Sequence, residues 1–231
     1  MGAAFRTVEP STDDRGNYRA DMRQTLTDIR AAYDLAAEPY ADKFLNELRN
    51  KPRDVELLRQ FASLAGPGKR VLDLGCGPGH TTAHLASLGL CPVGVDLSPG
   101  MVATAAHHFP NVDFTVGDFF GLVDPDNSVD GILGFYCIVH LQSDQLLPAF
   151  REMFRVLTIG GVLLLAFHIG TEPVLVDNFL GTGAALEFFP FAVANIQTAL
   201  QAVGFTDIAT FERPPYDSEY PTNRCYMFAH K

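Results

Sequence analysis

Residues 71–79 read Val71-Leu72-Asp73-Leu74-Gly75-Cys76-Gly77-Pro78-Gly79: a short apolar strand, three glycines at alternate positions, and the opening of a helix. Glycine lets the chain turn tightly and lets a ligand approach the backbone with no Cβ in the way. Asp73, just before the loop, is placed to orient it and to accept hydrogen bonds from an ammonium group. The next apolar segment, Cys91-Pro92-Val93-Gly94-Val95-Asp96, ends in a carboxylate. An acid at the end of a second strand can accept hydrogen bonds from both ribose hydroxyls of a nucleoside. The G-x-G-x-x-G spacing of dinucleotide folds is not met, because His80 stands three residues after Gly77 and the third glycine comes one position early. A pyrophosphate-binding turn is therefore disfavoured.

Outward from this loop the chain alternates. Strands are expected at 70–74, 91–96, 112–116, 129–135, 162–167, 206–211 and 224–230, with helices at 79–88, 99–108, 144–157 and 192–203. Upstream, apolar residues at helical intervals (Ile29, Tyr33, Leu35, Tyr40, Phe44, Leu48) predict helix within 21–50. Pro52 can open a further helix to about 64, closed by Gly66-Pro67-Gly68. Alternating strands and helices imply right-handed crossovers, and continuously apolar strands imply a sheet covered on both faces. The expectation is an α/β, Rossmann-like, doubly wound seven-stranded sheet, mainly parallel, with helices on both faces. Residues 1–20 are expected as a mobile tail, 21–65 as a helical cap, and 66–231 as the main domain with an irregular, lid-like insertion at 170–191. Ligands of such sheets bind beyond the carboxyl ends of the strands, where strand order reverses.

Composition narrows the function. A chain of 231 residues, 47% hydrophobic, builds one full core and a small lid, not two large domains. Its net charge of −10 repels phosphate backbones and anionic membrane surfaces, so neither nucleic acid nor membrane is expected as a partner. No apolar run has the length of a membrane span. The first twenty residues lack the apolar stretch of a signal peptide, and Arg6 breaks a myristoylation pattern. The cysteines Cys76, Cys91, Cys137 and Cys225 form no C-x-x-C pair. Cys91 and Cys137 lie in apolar runs and are expected buried, in a reduced, cytoplasmic protein that is a monomer or homodimer.

The stretch 70–168 resembles the class I methyltransferases that use S-adenosylmethionine. Gly75-Cys76-Gly77-Pro78-Gly79 matches their first motif, Asp96 their ribose-binding acid, and Val116-Gly117-Asp118-Phe119 the segment that meets the adenine. Leu157-Thr158-Ile159-Gly160-Gly161 is similar to their entry into the fifth strand, with Ile159 where proline is common. The resemblance implies an antiparallel last strand, S-adenosylmethionine as cofactor and S-adenosylhomocysteine as product. It further implies that Gly75, Cys76, Gly77 and Gly79 lie along the methionine part, that Leu97, Ser98 and Met101 flank the adenine or ribose, and that Asp118 and Phe119 hold the adenine. Tyr33-Asp34-Leu35-Ala36-Ala37-Glu38-Pro39-Tyr40 is similar to a segment that covers the cofactor in small-molecule methyltransferases, which implies that Tyr33 or Tyr40 touches the methionine carboxylate or the substrate.

Candidate groups for chemistry follow the fourth and fifth strands: Phe135 beside the methyl group, Tyr136 as a pocket wall, His140 as a base or substrate contact, and His168 in the substrate pocket. His80 and His84 read as a solvated helix face, without the H-E-x-x-H pattern of a metal site. Asp177-Asn178 resembles half of a catechol-type magnesium site, but the acid required after the fourth strand is replaced by Phe135-Tyr136-Cys137, so no metal is expected. Arg213-Pro214-Pro215-Tyr216 resembles part of an adenine-methylating motif, but in the wrong place. A small-molecule acceptor remains, met by the Phe-rich segment 170–191. Two other uses of the loop stay open: an NAD-dependent oxidoreductase, and a binder of S-adenosylmethionine without activity.

Overall fold

The computed structural model describes residues 24–231; the tail expected at 1–20 lies outside the described residues. In chain order the elements are α1 (Leu26–Phe44), a 3-10 turn (Glu47–Asn50), α2 (Pro52–Ala65), β1 (Arg70–Leu74), α3 (His80–Ser87), β2 (Cys91–Asp96), α4 (Pro99–His108), β3 (Asp113–Val116) and β4 (Val129–Phe135). Then come 3-10 turns at Cys137–His140 and Ser143–Gln145, α5 (Leu146–Val156), β5 (Leu157–His168), β6 (Val174–Val176), a 3-10 turn (Phe179–Gly181), β7 (Leu186–Phe188), α6 (Val193–Val203), β8 (Thr206–Arg213) and β9 (Arg224–His230).

The main sheet has strand order β3-β2-β1-β4-β5-β9-β8. Strands β1 to β5 are parallel, and β9 enters antiparallel between β5 and β8. Strand order reverses between β1 and β4, which places any ligand crevice above their carboxyl ends. Period-two alternation divides the core. Leu163, Leu165 and Phe167 of β5 face the layer of α5 and α6, with Phe150, Met153, Ile196 and Leu200. Val162, Leu164 and Ala166 face the layer of α2 and α3, with Leu57, Phe61 and Leu85.

Three expectations are corrected. The 170–191 segment is not wholly irregular: β6 and β7 pair antiparallel, with Val174 opposite Phe188 and Val176 opposite Leu186. This hairpin, with Phe179, buries its apolar side against Ile29, Ala32 and Ala36 of α1. The fifth strand begins earlier than expected, because Leu157 already pairs with Val129 across a register shift. Cys91 is exposed, because it opens β2 at the end of the sheet away from the core.

The cap is held locally and at long range. Thr25 and Asp28 close a reciprocal capping box at the start of α1. Gln24 then binds the hairpin through Glu187 N at 2.9 Å and the Ala185 carbonyl at 2.7 Å.

Candidate functional site

The glycine loop is stitched to the end of β2. Gly75 N and Cys76 N donate to the Val95 carbonyl at 2.7 and 3.1 Å. Gly77 N donates to Asp96 Oδ2 and Ser98 N to Asp96 Oδ1, each at 2.9 Å. Gly77 has φ +53°, and a Cβ there would point toward Tyr40, 3.7 Å from its ring. Gly79 serves packing instead. A Cβ on it would stand 2.7 Å from Phe114 and 2.9 Å from Ala105, so it lets α3 start against β3 and α4 and does not line the cavity. Asp73 also stands behind the loop. It is 1% exposed, its Oδ2 accepts from Thr81 and Thr82 Oγ1 at 2.7 Å, and its Oδ1 has no partner among the described residues.

A cavity of about 130 Å³ lies above the carboxyl ends of β1 and β4. Of the residues singled out in the sequence, Gly75, Cys76, Gly77, Asp96, Leu97 and Met101 line one side. Asp118 and Phe119 close its end, with Asp118 Oδ1 accepting from Phe120 N at 2.7 Å. Tyr33, Phe135, Tyr136 and His140 line the far side. Ser98 is fully buried off the wall, where it caps α4. Burial pushes the Asp96 carboxyl up to about 6, against the N–H groups of Ser98 and Gly77 and with help from nearby Asp73 and Asp34.

The far wall fixes one histidine tautomer. His140 Nδ1 lies 2.7 Å from the Glu187 carbonyl, which only accepts, so Nδ1 carries the proton. Nε2 is then an acceptor, and Tyr33 Oη–H donates to it at 2.8 Å. Burial depresses His140 to about 4, so the ring is neutral near pH 7. Tyr136 sits at φ +58°, left-handed for a non-glycine residue at the turn out of β4. Its hydroxyl lies 3.1 Å from that of Tyr226, whose proton goes to Asp54 Oδ1 at 2.5 Å, so Tyr136 donates to the buried Tyr226 hydroxyl. Burial raises the Tyr136 phenol far above its usual range, which suits a wall and not a base.

His168 does not line the cavity. Its ring packs on Tyr136 with centroids 5.2 Å apart, and its Nδ1 bonds Thr222 Oγ1 at 2.7 Å. The antiparallel entry of β9 beside β5 puts this second layer over it.

Sequence reasoning missed Glu47 and misread His80. The His80 side chain is only 9% exposed and lines the cavity, with Nε2 3.0 Å from Glu47 Oε1. The 3-10 turn at Glu47–Asn50 covers the start of α3, so this helix face is not solvated. The available signal was that His80 directly follows the last loop glycine. Behind Tyr136 runs a buried ionic network. Lys51 Nζ meets Glu47 at 2.8 Å and Glu219 at 3.1 Å, and Arg213 meets Glu219 at 2.6 Å and Asp54 at 3.0 Å. Among the described residues, no group of three His, Cys, Asp or Glu is disposed to hold a metal, and no helix is long and apolar enough to cross a membrane.

A family model described as a methyltransferase domain matches residues 71–161. The chain is 36% identical over 157 residues to a demethylmenaquinone methyltransferase of Beutenbergia cavernae, a match covering 67% of this chain and 63% of that one. It is 31% identical over 169 residues to a phosphoethanolamine N-methyltransferase of Triticum aestivum, covering 69% of this chain and 32% of the relative. The chain thus spans about a third to under two thirds of the length of these curated relatives. Among solved structures, the complex of DhpI with SAH superposes with a TM-score of 0.69 at 22% identity, covering 89% of this chain and 96% of that one, a likeness of fold.

Proposed function

The chain belongs to the class I S-adenosylmethionine-dependent methyltransferases, and from that premise we propose that it moves the methyl group of S-adenosylmethionine onto a nucleophilic atom of a small, apolar or aromatic metabolite. The observation that carries this reading is Asp96. Each of its oxygens accepts one backbone N–H, and among the described residues no Lys or Arg pairs with it. An ionised carboxylate has about four lone-pair sites, so about two remain for the adjacent hydroxyls of a ribose. A partly buried acid without a counter-charge is costly, and such groups concentrate at ligand sites.

Other residues fit the same ligand. Gly77, with no Cβ between its backbone and Tyr40, would let a methionyl chain run close to the backbone. The partnerless Asp73 Oδ1 adds negative potential where its ammonium group would lie. Leu97 and Met101 would flank the nucleoside, and Asp118 and Phe119 would meet the adenine.

When bound, S-adenosylmethionine supplies a methyl group on a positive sulfur, and in-line displacement disperses that charge. The chain's own task is to position the acceptor and exclude water, and positioning can supply roughly 7–11 kcal/mol of barrier reduction. Tyr33, Phe135 and Tyr136 form walls, and His168 supports Tyr136 from behind. His140 Nε2 offers the one lone pair of a neutral ring, able to take a proton from an acceptor that displaces the Tyr33 hydroxyl. The acceptors named for the two relatives are phosphoethanolamine and demethylmenaquinone. The lining by Leu26, Ile29, Phe120 and Leu141 favours an apolar one here.

Calorimetric titration tests the reading. S-adenosylhomocysteine should bind and NAD should give no heat; binding of NAD alone would replace this function with hydride transfer.

A further inference from the structure

Asp34 adjoins Tyr33 on α1 but reaches a different element. Its Oδ1 accepts from Ser98 Oγ at 2.6 Å and from Gly100 N at 2.8 Å. Both donors lie at the start of α4, where unpaired N–H groups and the helix dipole favour an anion. Ser98 is the N-cap of that helix. Its Oγ accepts from Met101 N at 3.0 Å, and its own N–H donates to Asp96 Oδ1 at 2.9 Å. Asp34 is therefore one side chain removed from the acid that faces the cavity. One turn along α1, Glu38 Oε1 accepts from Thr104 Oγ1 at 3.1 Å, a second bolt between the same two helices.

The fit at Gly100 is close. A Cβ on it would stand 3.1 Å from the Asp34 Cα and 3.2 Å from its Oδ1, so α1 lies directly on this glycine. The rival partner of Asp34 is Arg30, at 3.9 Å and exposed, a weak pair. The same helix hangs Tyr33 and Tyr40 over the cavity. What fixes α1 on the α4 side thus also fixes the roof.

We propose that Asp34 is a positioning residue: it clasps α1 to the first turn of α4, holds Asp96 through Ser98, and must let go before a bound adenosyl ligand can leave. This rests on the cofactor reading above. The clasp acts on residence, so it is read in the rate of ligand release more than in the strength of the fold.

The test measures S-adenosylhomocysteine dissociation by stopped flow, beside thermal melting of the ligand-free protein. Asp34→Ala should speed release roughly tenfold or more, as for loss of two charge-assisted hydrogen bonds. Asp34→Asn keeps an oxygen in place and should fall between wild type and alanine. Gly100→Ala separates the clasp from plain stability. Gly100 is not among the positive-φ glycines, and alanine is the better helix former, which offsets part of the cost of displacing α1, so melting should fall less than in Asp34→Ala while release still accelerates.

A pH series adds a readout that loose packing would not move. Asp96 is faced by Asp73 from β1, by Asp34, Tyr33 and Tyr40 from α1, by Cys76 in the loop and by Cys137 beyond β4. Asp34→Asn removes one negative charge from that set, so the acid midpoint of S-adenosylhomocysteine binding should move to lower pH. Wild-type release rates in both Asp34→Ala and Gly100→Ala overturn the clasp and leave the cofactor reading standing. A wild-type protein that binds no S-adenosylhomocysteine overturns both.

Discussion

Two sets of acids, one at the glycine loop and one among α2, β8 and β9, have partners that differ in kind. At the glycine loop, Asp73 and Asp96 are held by hydroxyls and backbone N–H groups, and among the described residues no Lys or Arg pairs with either. Behind Tyr136, Asp54 and Glu219 are held by Arg213, Lys51 and Arg224. The consequences follow. Burial lifts Asp96 to about 6. Burial also pushes Glu219 upward, but Arg213, the Tyr216 N–H, Lys51 and Arg224 outweigh it and hold Glu219 at about 2. The paired set joins α2 to β8, β9 and the loop before β9, so its work is to hold the fold. The unpaired set keeps hydrogen-bonding capacity in reserve beside a cavity, the arrangement expected where a ligand completes the structure.

Breaking the paired set should have the largest effect on stability. Arg213→Ala leaves Asp54 and Glu219 buried without their main cation, and removing one partner of a buried pair costs about 3–5 kcal/mol. Denaturant unfolding should register that loss, and a change under 1 kcal/mol would mean the network is mere decoration. The unpaired set should respond differently. Asp96→Ala removes an acid without a counter-charge but leaves the Gly77 and Ser98 N–H groups without their acceptor, so unfolding free energy should fall by about 1–3 kcal/mol, less than in Arg213→Ala. It should also weaken S-adenosylhomocysteine binding on the order of a hundredfold, from two hydrogen bonds to a charged group at about 1.5–3 kcal/mol each. An unchanged dissociation constant would remove Asp96 from the ligand.

The same contrast sets the pH dependence. Under the proposed function it is the ionised form of Asp96 that would accept the ribose hydroxyls, and burial raises its carboxyl to about 6 in the free protein. Affinity should be level above that value and fall toward tenfold per pH unit below it. His140, depressed to about 4 by burial, loses its lone pair two units lower. A binding midpoint near 6 therefore reports Asp96, and a midpoint near 4 would shift the burden to His140.

What the sequence made legible follows from how local each signal is. β1 at Arg70–Leu74, β2 at Cys91–Asp96 and β4 at Val129–Phe135 were readable to the residue, because apolar runs bounded by Gly, Pro and Asp state their own limits. The loop and Asp96 were legible for the same reason. The hairpin was not, because its strands are three residues long and fold only against α1. His80 was misread because Glu47, which covers it, lies in a separate turn thirty-three positions away. His168 looked like a pocket residue because it ends a strand. The ring of Tyr136, turned by its left-handed backbone, stands between it and the cavity, and no local pattern announces that.

The smallest expected effect is the most informative about chemistry. Tyr33→Phe keeps the ring contacts to Tyr40 and Phe179 and removes only the hydroxyl that donates to His140 Nε2. Loss of one neutral hydrogen bond should lower unfolding free energy by about 1 kcal/mol and leave S-adenosylhomocysteine affinity nearly unchanged. If an acceptor displaces this hydroxyl during turnover, its removal costs the reaction little, whereas His140→Ala removes the proposed proton acceptor and should lower turnover roughly a hundredfold. Turnover that falls equally in the two variants would mean that the Tyr33–His140 bond, and not the freed imidazole, is what the reaction requires.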